Sequence, residues 1–68
     1  MYVAFLEKNG TGYLDFYGVS KIRLEFRRAG TENRPVYVIT HDKLAEQYEC
    51  CTKFVWADQY EIGYVGKE

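Results

Sequence analysis

The side chains best suited to nucleophilic catalysis are few in this chain. Cys50 and Cys51 are its only cysteines, and His41 is its only histidine. A catalytic thiol needs a base within hydrogen-bonding distance. If residues 41–51 form a helix, His41 and Cys51 are separated by about 15 Å along its axis. The spacing therefore predicts no nucleophilic site. Cys51 is expected to be a small core residue, and Cys50 is expected to lie at the boundary of the core.

The same residues bear on metals and on the redox compartment. A tetrahedral zinc site takes four ligands, and adjacent cysteines lack the two intervening residues of a zinc-binding pair. Adjacent cysteines are also far from usual disulfide geometry. Glu7 and Lys8 interrupt the first apolar run, and no run approaches the ~18 apolar residues of a membrane span. We therefore expect a soluble cytoplasmic protein with no metal and no membrane association.

Three carboxylates, Asp42, Glu46 and Glu49, are spaced for acid–base chemistry or for a shared contact. At about 100° per residue they fall on one side of the predicted helix, opposite its apolar side. A solvated polar face is the usual role of such a stripe. We interpret these three residues as an alternative acidic contact face. No glycine-rich phosphate loop leads into a helix, so the sequence predicts neither a cofactor nor an enzyme.

A basic segment, residues 21–28, has strict alternation of side-chain types. Ile22, Leu24 and Phe26 share one face, which predicts a half-buried strand with charged residues on its wet face. Its candidate partner-binding residues are Lys21, Arg23, Arg27 and Arg28. Cationic grooves with aromatic platforms bind single-stranded nucleic acid. Such domains are basic overall, whereas this chain has a net charge of −1, so nucleic acid is the weaker alternative.

The chain contains more tyrosine than a core of this size needs. Seven of the 68 residues are Tyr, beside four Phe and one Trp. A core this small has no room for all of these rings, and Tyr and Arg are enriched in protein interfaces. We therefore add Tyr13 and Tyr17 to the candidate partner-binding residues.

Around these side chains the chain divides into short elements. Asn9-Gly10 predicts a hairpin between two strands, and the change of period after Thr40 predicts a short helix with Leu44, Ala45, Tyr48 and Cys51 on its buried side. Residues 29–35 are expected to form a polar loop, and Asp58-Gln59 a two-residue connection. The predicted strands are residues 2–6, 13–17, 21–28, 36–40, 52–57 and 60–65, and the predicted helix is residues 41–51.

These elements predict a single α+β domain over residues 1–68, an antiparallel sheet of about five to six strands with one helix packed on it. A small all-β barrel is the alternative if the helix does not form. Hydrophobic residues are 47% of the chain and charged residues 28%, which excludes a disordered tail. Residues 1–34 hold six basic and four acidic side chains, and residues 35–68 hold three and six, so a near-neutral chain has a basic and an acidic half.

The predicted function is a small non-catalytic protein-binding module that inhibits or modulates a larger intracellular protein. Its size and lack of catalytic groups fit a phage- or mobile-element-encoded modulator of a host enzyme. The alternative is a small nucleic-acid-binding regulator that uses residues 21–28. A homodimer paired through an exposed strand edge is a third hypothesis.

Overall fold

A computed structural model describes residues 1–41 and 52–67 of the chain. These residues form six β-strands, of which five begin and end within two residues of the predicted bounds. The strands are β1 (Tyr2–Glu7), β2 (Tyr13–Phe16), β3 (Val19–Ala29), β4 (Glu32–His41), β5 (Thr52–Trp56) and β6 (Tyr60–Gly66).

The strands form two antiparallel three-stranded sheets. Sheet A has the order β2-β1-β6, and sheet B has the order β3-β4-β5. The α+β prediction is wrong, and the all-β alternative fits: residues 1–41 and 52–67 contain no helix, so none that could span a membrane. His41 ends a strand rather than starting a helix. The rest of the predicted helix, residues 42–51, lies outside the described residues.

Two glycines with positive φ shape the connections of β3. Gly30 (φ 67°) is the first residue of the two-residue turn that joins β3 to β4, a place where primed hairpin turns need positive φ. The hairpin therefore replaces the loop predicted for residues 29–35. Gly18 (φ 66°) lies between β2 and β3, where the chain passes from sheet A to sheet B. Only glycine adopts this conformation without steric cost.

The second passage between the sheets follows β5. Residues 57–59 join β5 of sheet B to β6 of sheet A, so Asp58-Gln59 does not close a hairpin as its length suggested. Gln59 N–H donates to the carbonyl of Trp56 at 3.1 Å, which tightens this turn. The predicted Asn9-Gly10 hairpin is confirmed, with β1 and β2 paired from Val3↔Phe16 to Leu6↔Tyr13.

The core lies between the two sheets. Sheet A contributes Val3 and Phe5, and sheet B contributes Val19, Ile39 and Val55, all buried. The ring of Phe5 packs edge-on against Phe16 of its own sheet and, tilted, against Tyr37 of the other sheet, with centroids 5.9 and 5.4 Å apart. The partly buried residues around this core are Phe16, Ile22, Tyr37 and Tyr60. Each sheet therefore has an inner face on the core and an outer face directed away from it.

Tyr64 lies on the outer face of sheet A, although simple alternation along β6 would place it on the same face as Ile62. Strict alternation along residues 60–65 would place Tyr60, Ile62 and Tyr64 on one face of β6. A β-bulge shifts the register, so that Ile62 lies opposite Phe5 on the inner face and Tyr64 lies opposite Ala4 on the outer face. The extra residue is Gly63, where a Cβ atom would lie 2.8 Å from Leu6. A bulge adds one residue to one strand and so reverses the alternation beyond it.

The inner face of β3 is only partly covered. Ile22 packs against the core as predicted, but Leu24 is 56% exposed and Phe26 is 69% exposed. The prediction that these two residues lie on a buried face is wrong. Alternation places residues on one face, whereas burial also requires the opposite sheet to extend far enough, and β3 is longer than any strand of sheet A.

Candidate functional site

Two outer surfaces carry five of the six predicted partner-binding side chains, Tyr13, Tyr17, Lys21, Arg23 and Arg27. The tyrosine face is the outer face of sheet A around Tyr2, Tyr13, Tyr17 and Tyr64. Register places Tyr2 on β1 between the two neighbouring strands, with Tyr13 opposite Leu6 and Tyr64 opposite Ala4. The Tyr2 ring lies 4.8 Å from that of Tyr17 and 6.0 Å from that of Tyr64, measured between centroids. The three rings form one continuous aromatic surface.

Tyr2 is the centre of this surface. Its hydroxyl donates to Asp15 Oδ2 at 3.3 Å. Packing against its neighbours removes water from the phenol and raises the pKa of Tyr2, and the negative charge of Asp15 raises it further. The phenol therefore keeps its proton and donates a hydrogen bond to the carboxylate, which fixes the orientation of the central ring.

The outer rings of the tyrosine face remain accessible. Tyr13, Tyr17 and Tyr64 are 66%, 64% and 59% exposed, and Leu6 beside them is also exposed. Large exposed apolar side chains gathered on one surface of a small protein mark an interaction site. Tyrosine is suited to this because it offers a large contact area with few rotatable bonds and a polar hydroxyl.

The arginine face is the outer face of sheet B and carries Lys21, Arg23, Arg27 and Arg34 on β3 and β4. Arg23 Nε lies 2.8 Å from Glu25 Oε1. The guanidinium carbon of Arg27 lies 4.0 Å from the ring centroid of Phe54. Since β4 lies between β3 and β5, this cation–π contact crosses the middle strand of the sheet. The cationic groups are thus held close to the sheet.

Arg34 is held by two partners at once. Its Nε and Nη2 atoms donate to the two carboxylate oxygens of Asp58, each at 2.8 Å, and its guanidinium carbon lies 4.0 Å from the ring centroid of Trp56. This bidentate geometry is the one that a planar guanidinium forms best. The hydrogen bond to Asp58 raises the pKa of Arg34, and the same bond lowers the pKa of Asp58.

Two valines are buried on the arginine face. Val38 lies between Arg23 and Phe54 in the register, and Val36 lies between Glu25 and Trp56; both valines are about 1% exposed. An open depression of roughly 480 Å³ adjoins Val38 and is lined by Arg23, Arg27, Thr52 and Phe54. The long arginine side chains lie along apolar neighbours while their charged ends reach water. The arginine face therefore contributes to packing as well as carrying charge.

The structure does not gather the predicted partner-binding residues into one site. Tyr13 and Tyr17 are on the tyrosine face, and Lys21, Arg23 and Arg27 are on the arginine face, on the opposite side of the molecule. Arg28 is on neither, because its even position in β3 places it on the same face as Leu24 and Phe26. Its Nε donates to the carbonyl of Gly30 at 3.3 Å.

His41 faces the core rather than a catalytic partner. Its Nδ1 donates to the carbonyl of Tyr17 at 3.0 Å, and its ring lies 5.9 Å from Phe16. Its Nε2 atom is buried without a hydrogen-bond partner. Cys50, Cys51 and the acidic contact face of Asp42, Glu46 and Glu49 lie outside the described residues. Within residues 1–41 and 52–67, no cluster of three or more His, Cys, Asp or Glu is arranged for a metal.

No protein-family model, curated protein or solved structure matches the chain.

Sequence reasoning missed two members of the tyrosine face, Tyr2 and Tyr64. Tyr2 had a usable signal, since the predicted hairpin pairs residues 2–6 with residues 13–17 and brings alternate tyrosines together. No sequence signal placed Tyr64 on this face, because the bulge at Gly63 reverses the alternation that would otherwise assign it.

Proposed function

We propose that this chain is a non-catalytic protein-binding module whose tyrosine face docks on a larger protein and inhibits or modulates it. The observation that carries the proposal is the group of three exposed tyrosines, Tyr13, Tyr17 and Tyr64, around a central ring held by a hydrogen bond. Interfaces are enriched in tyrosine and depleted of charge at their centres.

The chemistry of the tyrosine face supports this role. Its acidic side chains are Asp15, which accepts a hydrogen bond from the Tyr2 hydroxyl, and Glu61, which lies opposite Leu6. Rings that already pack on one another lose little conformational freedom on binding, so more of the contact energy appears as affinity. A partner surface with apolar pockets and hydrogen-bond acceptors for phenol hydroxyls would fit it.

The arginine face is less suited to be the main contact. Arg23 and Arg34 are engaged with Glu25 and Asp58, and Arg27 covers one side of the Phe54 ring. A nucleic-acid strand would have to displace these partners to reach the cationic groups and the ring. This geometry favours a protein partner over the nucleic-acid alternative.

The proposed setting is the cytoplasm. Adjacent cysteines are stable as free thiols under reducing conditions, and Cys50 and Cys51 are the only two cysteines of the chain. Action on an intracellular partner agrees with a small module that modulates another protein and performs no reaction itself.

The experiment compares capture by matched variants. The tagged wild-type chain and the double variant Tyr13→Ser/Tyr17→Ser are each incubated with extract of the source cells, and bound proteins are quantified by mass spectrometry. We expect a protein held by the wild type at near-equal molar amount, and a loss of capture by the double variant of at least about tenfold.

The control is Arg28→Ser, which changes an exposed side chain away from both faces. It should retain the captured protein. Equal capture by the wild type and the tyrosine variant would contradict the proposed contact surface. Binding of single-stranded oligonucleotides that weakens steeply as salt rises would favour the nucleic-acid regulator instead.

A further inference from the structure

The longest strand of the molecule has an open edge. β3 spans the eleven residues Val19–Ala29 and is the outermost strand of sheet B. Among residues 1–41 and 52–67, β4 is the only strand that pairs with it. Its regular part, from Lys21 onward, contains no proline and no bulge. Natural proteins normally shorten, bend or cover such an edge because its free backbone groups can pair with another strand.

The register shows which backbone groups are free. Pro35 has no N–H, and its carbonyl accepts from Ala57 N–H at 2.9 Å, so the polar atoms of Pro35 face β5. Phe26, its partner on β3, therefore directs its own N–H and C=O away from β4. Every second residue repeats this orientation. The free donors and acceptors of the regular part of β3 are thus those of Ile22, Leu24, Phe26 and Arg28.

These groups are placed for antiparallel pairing of β3 with a second β3. A two-fold axis through Leu24 pairs Leu24 with its own copy and Ile22 with Phe26 of the other copy. In this register both members of each pair direct N–H and C=O across the axis, so each pair exchanges two hydrogen bonds. Leu24 is also the middle residue of the regular segment 21–27, so this register pairs that segment. It leaves out Val19, whose N–H and C=O are hydrogen-bonded to Met1 at 3.0 and 2.6 Å.

The side chains are complementary in the same register. On the outer face, Arg23 of each copy lies opposite Glu25 of the other, which adds two ion pairs to the existing Arg23–Glu25 contact within each chain. On the inner face, Leu24 meets Leu24, and Phe26 meets Ile22. Leu24 and Phe26 are the exposed apolar residues that sheet A leaves uncovered.

One pair in this register is unfavourable. Lys21 lies opposite Arg27 of the other copy, and like charges across strands repel. The Arg27 guanidinium is stacked on Phe54 across β4, on the side away from the open edge. That orientation separates the two cations.

We propose that two copies of this chain associate through their β3 strands, joining the two B sheets into one six-stranded antiparallel sheet with the axis at Leu24. The association uses no residue of the tyrosine face. Each dimer therefore presents two tyrosine faces, and the dimer and the partner-binding proposal can fail independently.

Sedimentation equilibrium of three charge variants over a dilution series tests this register. Arg23→Glu and Glu25→Arg each place like charges opposite one another twice across the axis, and we expect roughly tenfold weaker association for either variant alone. An equimolar mixture of the two restores both opposite-charge pairs in the heterodimer, so association should recover. The double variant Arg23→Glu/Glu25→Arg should associate like the wild type.

The mixture separates contacts between chains from contacts within a chain. Both single variants lose the internal Arg23–Glu25 pair, and mixing cannot restore it. Lys8→Glu, in the loop between β1 and β2, is the control with the same change of charge as Arg23→Glu. A monomeric wild type, single variants that associate like the wild type, or a mixture that does not recover would each overturn the proposal. Emission of Trp56 checks that every variant is folded.

Discussion

The two outer faces of this molecule carry prominent side chains for different reasons. On sheet B, the arginines engage carboxylates and rings, and Val36 and Val38 are buried beside them. On sheet A, the rings of Tyr17 and Tyr64 pack against the central ring of Tyr2 while most of their own surface remains in water. The charged side chains of sheet B are therefore engaged in stabilising their own sheet. The tyrosine face still has exposed aromatic surface that a partner could bury.

The largest expected effect comes from Val38 on the arginine face. Val38→Ala removes two buried methyl groups and should lower the free energy of unfolding by about 2 kcal/mol, as measured by urea denaturation. Tyr17→Ser, on an exposed ring of the tyrosine face, should lower it much less. Equal losses for the two variants would show that the faces do not differ in their contribution to packing.

Removal of the Arg34 guanidinium should give the next largest effect. Arg34→Gln loses the bidentate contact with Asp58 and uncovers Trp56, the single tryptophan. We expect a lower Tm and a shift of tryptophan emission to longer wavelength. Arg28→Gln is the matched control, since Arg28 contacts neither Trp56 nor a carboxylate among the described residues. An unchanged emission spectrum in Arg34→Gln would contradict the stacked geometry.

The arginine face should also make stability depend on pH. The hydrogen bond from Arg34 lowers the pKa of Asp58 in the folded chain, so the unfolded chain binds the proton more readily. The stabilisation is present above the unfolded pKa of this carboxyl and is lost as pH falls through its folded pKa. In Asp58→Asn, Tm should fall less steeply with acidification than in the wild type, as followed by thermal denaturation. Parallel Tm curves for the two proteins would exclude this coupling.

The smallest effect is expected at the centre of the tyrosine face. Asp15→Asn removes a negative charge and a hydrogen-bond acceptor from the Tyr2 hydroxyl. Since Asp15 raises the pKa of Tyr2, the variant should titrate this phenol at lower pH, followed by NMR of its ring carbons. Glu61→Gln, on the same face, supplies the comparison. A pKa of Tyr2 that does not respond to Asp15→Asn would refute the proposed contact.

The strands were predictable because their signals are local. Asn9-Gly10 predicted the first hairpin, and the alternation of residues 21–28 predicted β3. The polar loop predicted for residues 29–35 failed because Gly30 alone supplies the positive φ that a two-residue turn needs, which lets β4 begin at Glu32. The polar residues at the start of β4 are typical of a loop in sequence, but backbone pairing with β3 holds them in the strand.

The two candidate faces were predictable only in part. Lys21, Arg23 and Arg27 share a face as alternation requires, but Arg28 does not join them. Tyr13 and Tyr17 were selected from an excess of tyrosine, and nothing local indicated that they lie on the opposite side of the molecule from the arginines. Only the passages between sheets at Gly18 and at residues 57–59 decide that separation.

The sequence by itself determined the strand content, the hairpin at Asn9-Gly10, the excess of tyrosine and the unequal charge of the two halves, because these follow from composition and near-neighbour geometry. The tertiary structure decided which sheet each strand joins, where Tyr64 points and how far the core covers Leu24 and Phe26. Each of these depends on pairings between residues distant in the chain, where a bulge or a difference in strand length reverses what local alternation predicts.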